Sequence, residues 1–309
     1  MALFLENFRL KGLVPAALFV VCGLSGVAVA SGGETFKDMY PGLSRGLIRD
    51  AAFGDLERGL VCTAGEIRVT GEALDAAVEE EPEAVHEQLR KNLLFVLDQH
   101  LMRLLLRKEA KKEGIPEAVP EDEAIGRVLE MKASSVSIED SELLPAYEEI
   151  KETLGGVPFE QVKEALRDYL LKEKRNNAVG AYLESLGSGV DIILDRRWTE
   201  KQAEIMLDNP VDRARVSGVP TLVEFGAAGC MPCDMMQPIL ERLRKKYDGK
   251  LNVVFIHVGE EQVLGARYGI SSIPVQAFFD ASGREVTRHV GFFPEEDVEK
   301  VVESMGVEP

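Results

Sequence analysis

The sequence predicts an α+β multidomain protein, in which an all-α region precedes an α/β domain with a central mixed sheet flanked by helices. Two patterns predict this fold class. Between residues 83 and 113, leucine and valine recur every three or four residues, which is the spacing of an amphipathic helix. After residue 221, short β-branched apolar runs alternate with helical patterns, as in a sheet covered by helices. The chain has 309 residues, enough for two domains.

Residues 1–30 have the pattern of a targeting segment. Arg9 and Lys11 precede an apolar run at 13–30 that ends in the sequence Ala-Val-Ala. A basic flank, an apolar core and a small-residue site are typical of a secretory signal peptide. The run is also long enough to remain as an uncleaved membrane anchor, so both alternatives stay open. In either case we expect the folded part to be extracytoplasmic, in the bacterial periplasm.

The predicted organisation continues with a linker and two domains. Residues 31–58 are rich in glycine and are interpreted as a linker. Residues 59–197 form a helical domain, which opens with two short strands between 61 and 69 and has Thr70 as a helix N-cap. Its later elements are helices at 83–113, 122–132, 141–153 and 159–186, and a short strand or an extended exit at 190–195. Cys62 is expected to be a small buried residue of this domain.

Residues 198–309 form the second predicted domain. A helix from 198 to 216 is expected to break at Asn209-Pro210, because proline removes a helical hydrogen bond. Strands follow at 221–225 and 251–258, and the strands 275–279 and 285–290 form a hairpin. Two more helices are predicted at 262–268 and 295–305.

A pair of cysteines separated by Met231 and Pro232 lies between the strand 221–225 and a helix. Cys230 should therefore lie at the helix N-terminus, where unpaired N–H groups and the helix dipole stabilise an anion. The thiolate is the reactive form of cysteine, so Cys230 is the candidate nucleophile and the less exposed Cys233 the resolving residue. A zinc site is the alternative, but it needs two more soft ligands, and the sequence has no second pair of this spacing. We therefore favour thiol–disulfide exchange, with no metal and no cofactor beyond the redox-active disulfide.

The region from 198 to 309 resembles a thioredoxin-fold domain. The resemblance is carried by the segments TLVEFGAAGCMPCDMMQPILERL, LNVVFIHV, YGISSIPVQAFFDASGREVTRHVGF and EEDVEKVVESMG. It implies that Pro274 is the cis-proline opposite the disulfide. It also implies that Ile273 presents its backbone to an extended substrate, with Met231 and Pro232 beside the sulfurs. Glu224 matches the buried acid of the family, which would act as general base for Cys233, although the family more usually has Asp there.

Several residues depart from the family pattern. Gly229 stands where the family usually has Trp, and Phe255 stands at about the place of a lysine that often accompanies the buried acid. Asp234 follows the second cysteine, and a nearby negative charge disfavours a thiolate. A strong oxidant needs a heavily stabilised thiolate, so we expect a reducing or general exchange role on protein disulfides.

The region from 59 to 195 resembles the N-terminal helical chaperone domain of SurA-type periplasmic foldases. The resemblance is carried by AGEIRVTGEALDAAV, LDQHLMRLLLRKEAKKEGI and FEQVKEALRDYLLKEKRNNAVGAYLESL. No isomerase domain follows, so isomerase activity is not implied. The alternative function is therefore a chaperone that holds unfolded polypeptides, with the cysteine pair secondary.

Charge limits the partners that the chain can bind. A formal net charge of −17 argues against nucleic acid, because phosphates would be repelled. The predicted partners are protein disulfides. Unfolded clients and a membrane thiol reductant stay open as further partners.

Overall fold

The computed structural model describes residues 34–43, 46–151 and 155–309. The predicted signal or anchor segment at 1–30 lies outside these residues. None of the helices in the described ranges combines the length and the apolar character needed to cross a membrane. The described residues form two compact units, which we call the helical unit (residues 101–190) and the sheet unit (residues 34–100 and 191–309).

Helices and short strands follow one another along the described residues. The first elements are α1 (Phe36–Met39), a 3₁₀ helix (Leu47–Asp50), β1 (Ala52–Gly54), β2 (Leu60–Ala64), β3 (Ile67–Thr70), α2 (Gly71–Glu79), α3 (Glu83–Arg90) and α4 (Leu93–Lys112). The next are α5 (Glu121–Ser134), α6 (Asp140–Ile150), α7 (Phe159–Ser188), β4 (Ile192–Asp195), α8 (Arg196–Leu207) and α9 (Pro210–Arg215). The last are β5 (Thr221–Gly226), α10 (Met231–Lys246), β6 (Asn252–His257), α11 (Gln262–Arg267), β7 (Val275–Phe279), β8 (Glu285–Val290) and α12 (Glu295–Ser304).

The helical unit contains the end of α4 together with α5, α6 and α7. Its core is apolar and includes Leu106, Ile125, Val128, Val179 and Leu183. Arg103 forms an ion pair with Glu121 at 2.9 Å, which links α4 to the start of α5. Leu144 and Tyr169 remain 52% and 62% exposed. The predicted helices of this region are confirmed, with bounds that differ by a few residues.

The long helix predicted over 83–113 is wrong, because the chain breaks between α3 and α4. Asn92 lies at the break. Its backbone N–H donates to Leu89 O at 2.8 Å, three residues back and not four as in an α-helix. Its side-chain amide donates to Gln88 O at 2.7 Å. A side chain that occupies a helix carbonyl competes with the next helical N–H, so the helix ends there.

The first sheet of the sheet unit has the strand order β1-β4-β2-β3. The strands predicted between 61 and 69 and at 190–195 are confirmed as β2, β3 and β4. They form a sheet with β1, which lies in the segment predicted as a linker, so the region expected to be all-α contributes three of the four strands. Ala52 in β1 pairs with Ile193 in β4 in parallel register. The buried Asp98 carboxylate accepts Leu47 N–H at 2.6 Å and so caps the 3₁₀ helix. Thr70 is the N-cap of α2 as predicted, since its hydroxyl accepts Ala73 N–H at 3.1 Å.

The second sheet has the order β6-β5-β7-β8, in which β5 runs parallel to β6 and antiparallel to β7. The predicted mixed sheet with helices on both faces is confirmed, as is the break before Pro210. One face packs on α10 and α12 through a cluster that includes Leu222, Met236, Leu240, Phe278 and Val298. The other face packs on α9 and α11 through a cluster that includes Val211, Phe225, Leu264, Tyr268 and Phe279.

A buried ionic cluster joins α9 to α11 on the second of these faces. Asp212 accepts hydrogen bonds from Arg267 at 2.8 Å and from the Tyr268 hydroxyl at 2.7 Å. Arg215 approaches the same carboxylate at 3.4 Å and also donates to the carbonyl of Gly283 in the β7–β8 turn. The cluster therefore holds two helices and a hairpin turn together through groups that are almost fully buried.

The division into units does not follow the predicted domain boundary at 197/198. Gln88 of α3 donates to Glu260 O at 2.7 Å and accepts Val263 N–H at 3.0 Å. Arg215 also donates to Gly42 O at 2.8 Å. These contacts attach residues from the first part of the chain to the second sheet, so residues 34–100 and 191–309 form one compact unit.

Candidate active site around Cys230 and Cys233

The cysteine pair lies directly after the central strand β5. The turn from β5 to α10 passes through Gly229 at φ +77°, a conformation that favours glycine over the tryptophan usual in the family. Cys230 is the N-cap residue of α10, one position before the first turn, and its carbonyl accepts Asp234 N–H at 2.9 Å. Cys230 and Cys233 are joined by a disulfide, with their Cα atoms 5.2 Å apart. The helix N-terminus therefore lies next to Cys230, as predicted.

The two sulfurs differ in accessibility. Cys233 is 1% exposed, whereas Cys230 is only partly buried. The predicted order of exposure is confirmed. Met231, between them, is 75% exposed, and Met235 one turn later is 49% exposed. An incoming sulfur would therefore meet Cys230 first, beside two accessible methionines.

Gly226 at the end of β5 makes room for the inner sulfur. A Cβ at this position would lie 3.5 Å from Cys233 Sγ, 3.4 Å from Cys233 Cβ and 3.0 Å from Phe255 Cε2. The last of these distances is tighter than most Cβ contacts, so the Phe255 ring would have to shift by a few tenths of an ångström. The absence of a side chain at residue 226 thus lets Cys233 rest against the sheet beside Phe255.

Glu224 lies two residues earlier on the same face of β5, because side chains alternate along a strand. It is fully buried, as the resemblance implies. Burial raises the pKa of Glu224 to about 7, and a hydrogen bond from Gln276 acts in the opposite direction. Gln276 Nε2 donates to Glu224 Oε2 at 2.8 Å. An acid with this pKa can exchange a proton near neutral pH.

The cis-proline implied by the resemblance is present. The Ile273–Pro274 peptide bond is cis, and Pro274 O accepts Gly291 N–H at 2.8 Å. Val275, the next residue, pairs with Phe225 near the end of β5, so Pro274 lies at the same end of the sheet as the cysteine pair. The substrate-binding roles of Ile273, Pro274, Met231 and Pro232 remain predictions.

Two residues near the cysteines were not predicted from the sequence. His257, at the end of β6, accepts Ala228 N–H on Nε2 at 3.1 Å and so supports the loop before Cys230. Gln276 is a polar residue within the buried strand Val275–Phe279. A lone polar residue in an apolar strand is a sequence signal that could have identified it. His257 has no comparable local signal, because its contact depends on the pairing of β6 with β5.

Cys62 does not belong to this site. It is fully buried in β2, where burial raises the pKa of its thiol to about 12. The prediction of a small buried residue is confirmed. Among the residues that the structure describes, no group of three or more His, Cys, Asp or Glu side chains could hold a metal ion.

Comparison with known proteins finds similarity in the C-terminal region. The sequence signature of the thioredoxin family matches residues 209–304. Thioredoxin from Staphylococcus saprophyticus is 40% identical over 96 residues, which cover 31% of this chain and 90% of that protein. Thioredoxin 1 from Nostoc sp. is 36% identical over 87 residues, which cover 28% of this chain and 80% of that protein. A mutant thioredoxin from Halobacterium salinarum NRC-1, a solved structure, is 29% identical with a TM-score of 0.29 and covers 33% of this chain and 88% of that one.

Proposed function

Because this chain belongs to the thioredoxin family through its C-terminal region, we propose that it is a thiol–disulfide oxidoreductase that acts on protein disulfides. The observation that carries the proposal is the placement of the cysteine pair. Cys230 is accessible at the N-terminus of a 16-residue helix, and Cys233 is buried one turn further on. This placement supports a nucleophile that is stabilised as a thiolate and a resolving thiol shielded from solvent.

The proposed reaction reduces a substrate disulfide in two exchanges. The Cys230 thiolate attacks one substrate sulfur, a mixed disulfide forms, and the other substrate sulfur leaves and takes up a proton. Cys233 then loses its proton and attacks Cys230 Sγ. The Cys230–Cys233 disulfide forms, and the second substrate sulfur leaves and is protonated. The substrate gains two electrons and the cysteine pair loses two, so an external thiol must restore the dithiol.

Other residues assist these steps in the proposal. Glu224 accepts the proton of Cys233, which its burial and its pKa of about 7 support. Ile273 offers backbone groups to an extended substrate segment beside Pro274. Met231 and Pro232 contact the substrate next to the attacked sulfur, and the exposure of Met231 supports this role.

The direction of electron flow and the location are also proposed. Position 231 is Met and brings no positive charge to the sulfurs, and Asp234 after the second cysteine brings a negative one. Both features disfavour a strongly stabilised thiolate, and so favour a reducing or exchange role over strong oxidation. The basic flank, the apolar run and the Ala-Val-Ala sequence of residues 1–30 support export to the periplasm or attachment to its membrane. A membrane thiol reductant would suit that compartment.

A variant series tests the oxidoreductase. The full chain is expected to catalyse reduction of a disulfide-bonded protein with a dithiol as electron donor. Cys230→Ser should abolish catalysis, whereas Cys62→Ser, which removes the buried cysteine of β2, should leave it unchanged. Cys233→Ser should accumulate mixed disulfides, because the resolving thiol is gone. Wild-type activity in Cys230→Ser would contradict the proposal.

The second candidate function is that of a client-holding chaperone. It is favoured by the exposed apolar side chains of the helical unit, among them Leu144 and Tyr169. The resemblance of 59–195 to SurA-type foldases supports it and remains a prediction.

Aggregation of a reduced, denatured client tests the chaperone. The full chain with both Cys230→Ser and Cys233→Ser should still suppress aggregation if holding is independent of the thiols. Leu144→Glu with Tyr169→Glu should weaken suppression, and Glu148→Gln, an exposed change on the same helix as Leu144, should not. No suppression at stoichiometric excess would remove this candidate.

A further inference from the structure

Glu224 and Gln276 form a buried polar pair in the second sheet, and Gln276 pairs in register with His289 of β8 on its other side. The two residues face each other across the β5–β7 ladder, and both are fully buried. On the opposite side Glu224 pairs in register with Phe255 of β6, which offers no polar group. Glu224 forms no ion pair with any residue that the structure describes. Its charge state is therefore governed by Gln276 and by its burial.

The hydrogen bonding of the pair is incomplete when Glu224 is treated as a carboxylate. Gln276 Nε2 donates to Glu224 Oε2 at 2.8 Å, but Glu224 Oε1 and Gln276 Oε1 are buried without a partner among the described residues. Both of these atoms are acceptors, so neither can satisfy the other. A buried polar atom without a partner is unfavourable, because it has given up its hydrogen bond to water. One added proton would remove both deficits.

We propose that Gln276 is a positioning residue of the redox site, and that Glu224 in the disulfide form is a neutral acid whose Oε1–H donates to Gln276 Oε1. The 2.8 Å bond from Gln276 Nε2 is then one of two parallel hydrogen bonds between a carboxylic acid and a primary amide. The pKa of about 7 for Glu224 agrees with a proton held near neutral pH. The inference deepens the proposed function and rests on it for the origin of the proton.

The proton comes from Cys233 in this scheme. When Cys233 attacks the mixed disulfide, its S–H proton passes to the Glu224 carboxylate, and its sulfur forms the bond to Cys230 as the substrate thiolate leaves. Cys233 packs against Gly226, which lies about 6.5 Å from Glu224 along the same strand face. That span allows transfer through the longer glutamate side chain or one water molecule. Gln276 then holds the newly formed acid in place until reduction returns the proton.

Infrared spectroscopy of the oxidised full chain tests the charge state directly. The carboxylic-acid C=O band of Glu224 should be present at pH 6 and should disappear in Glu224→Gln. In Gln276→Met the band should move to higher frequency, because both hydrogen bonds are lost. Its titration midpoint should also move, because Gln276 contacts both charge states of Glu224. Gln202→Met, at another buried glutamine, is the matched control and should leave the band unchanged.

Kinetics test the role of the pair in resolution. In Gln276→Met, the pH profile of mixed-disulfide decay should move in the same direction as the Glu224 midpoint and by a similar amount, because the carboxylate is the base for Cys233. The double variant Glu224→Gln with Gln276→Glu restores an acid–amide pair and should recover the infrared band. It should not recover the rate, because the acid has moved to β7.

The outcomes separate the two proposals. If oxidised wild type shows no acid band for Glu224 at pH 6, or if Gln276→Met changes neither band nor pH profile, this inference is overturned while the oxidoreductase stands. If the band behaves as expected but wild type reduces no protein disulfide, the proposed function fails and the acid–amide pair stands.

Discussion

Glu224 and Asp212 are both buried acids of the second sheet's domain, and they lie on its two opposite sides. Asp212 contacts two arginines and a tyrosine hydroxyl, so it serves as the centre of an ionic cluster that joins α9, α11 and a hairpin turn. Glu224 pairs with no cation among the residues that the structure describes, and it contacts the amide of Gln276. The two carboxyl groups are buried to the same extent, but among the described residues Asp212 lies beside cations and Glu224 does not. A buried acid among cations stabilises structure, whereas a buried acid without them is available for proton exchange.

The largest effect on stability is expected on the Asp212 side. Asp212→Ala leaves two buried arginines without their carboxylate and should lower the free energy of unfolding by about 3–5 kcal/mol. Denaturant unfolding measures it. Asp208→Ala removes an exposed ion pair with Arg213 and should change stability by less than about 1 kcal/mol. Equal effects in the two variants would mean that the cluster does not hold the helices together.

The second effect concerns pH and belongs to Glu224. Its folded pKa, about 7, lies above the ordinary value of 4.5, so the folded state binds the proton more tightly. The contribution of Glu224 to the free energy of unfolding is therefore fully present below pH 4.5. It is lost as pH rises through 7, by about 3 kcal/mol in total. Unfolding of the oxidised chain at pH 5 and pH 8 should show this loss. The difference in stability between the two pH values should be smaller by about 3 kcal/mol in Glu224→Gln. The same pH dependence in that variant as in wild type would refute the raised pKa of Glu224.

A third effect concerns the space that separates Glu224 from the sulfurs. Gly226→Ala adds a methyl group 3.0 Å from Phe255 Cε2 and close to Cys233, and this overpacking should cost about 1–3 kcal/mol. The same change at Gly126, a helical glycine with open space around its missing Cβ, should stabilise by up to about 1 kcal/mol. Thermal unfolding of both variants measures the contrast. A neutral Gly226→Ala would mean that Cys233 does not depend on this gap.

The smallest effect is expected at His257. His257→Leu removes the acceptor of Ala228 N–H, but Ala228 is exposed and water can replace the ring. The change in stability should stay below about 1 kcal/mol. Amide exchange of Ala228, followed by NMR, should nevertheless become faster. Unaltered exchange would show that His257 does not support the loop before Cys230.

The elements of the C-terminal region could be predicted closely from the sequence. The strands Val275–Phe279 and Glu285–Val290 have the predicted bounds, because an apolar run, a turn with glycine and a second β-rich run are all local signals. The position of Cys230 at a helix start follows in the same way. The break at Asn92 was missed, since it depends on a side-chain hydrogen bond that the leucine periodicity conceals.

The sequence by itself determined which residues could carry the chemistry: two cysteines, an acid in an apolar strand and a proline before the next strand. The tertiary structure decided which groups surround them. Gln276 is 52 residues from Glu224, and Ala228 is 29 residues from His257, so neither contact has a local signature. Strand register brings these residues together, and register is set by the burial of whole strand faces and not by any single residue.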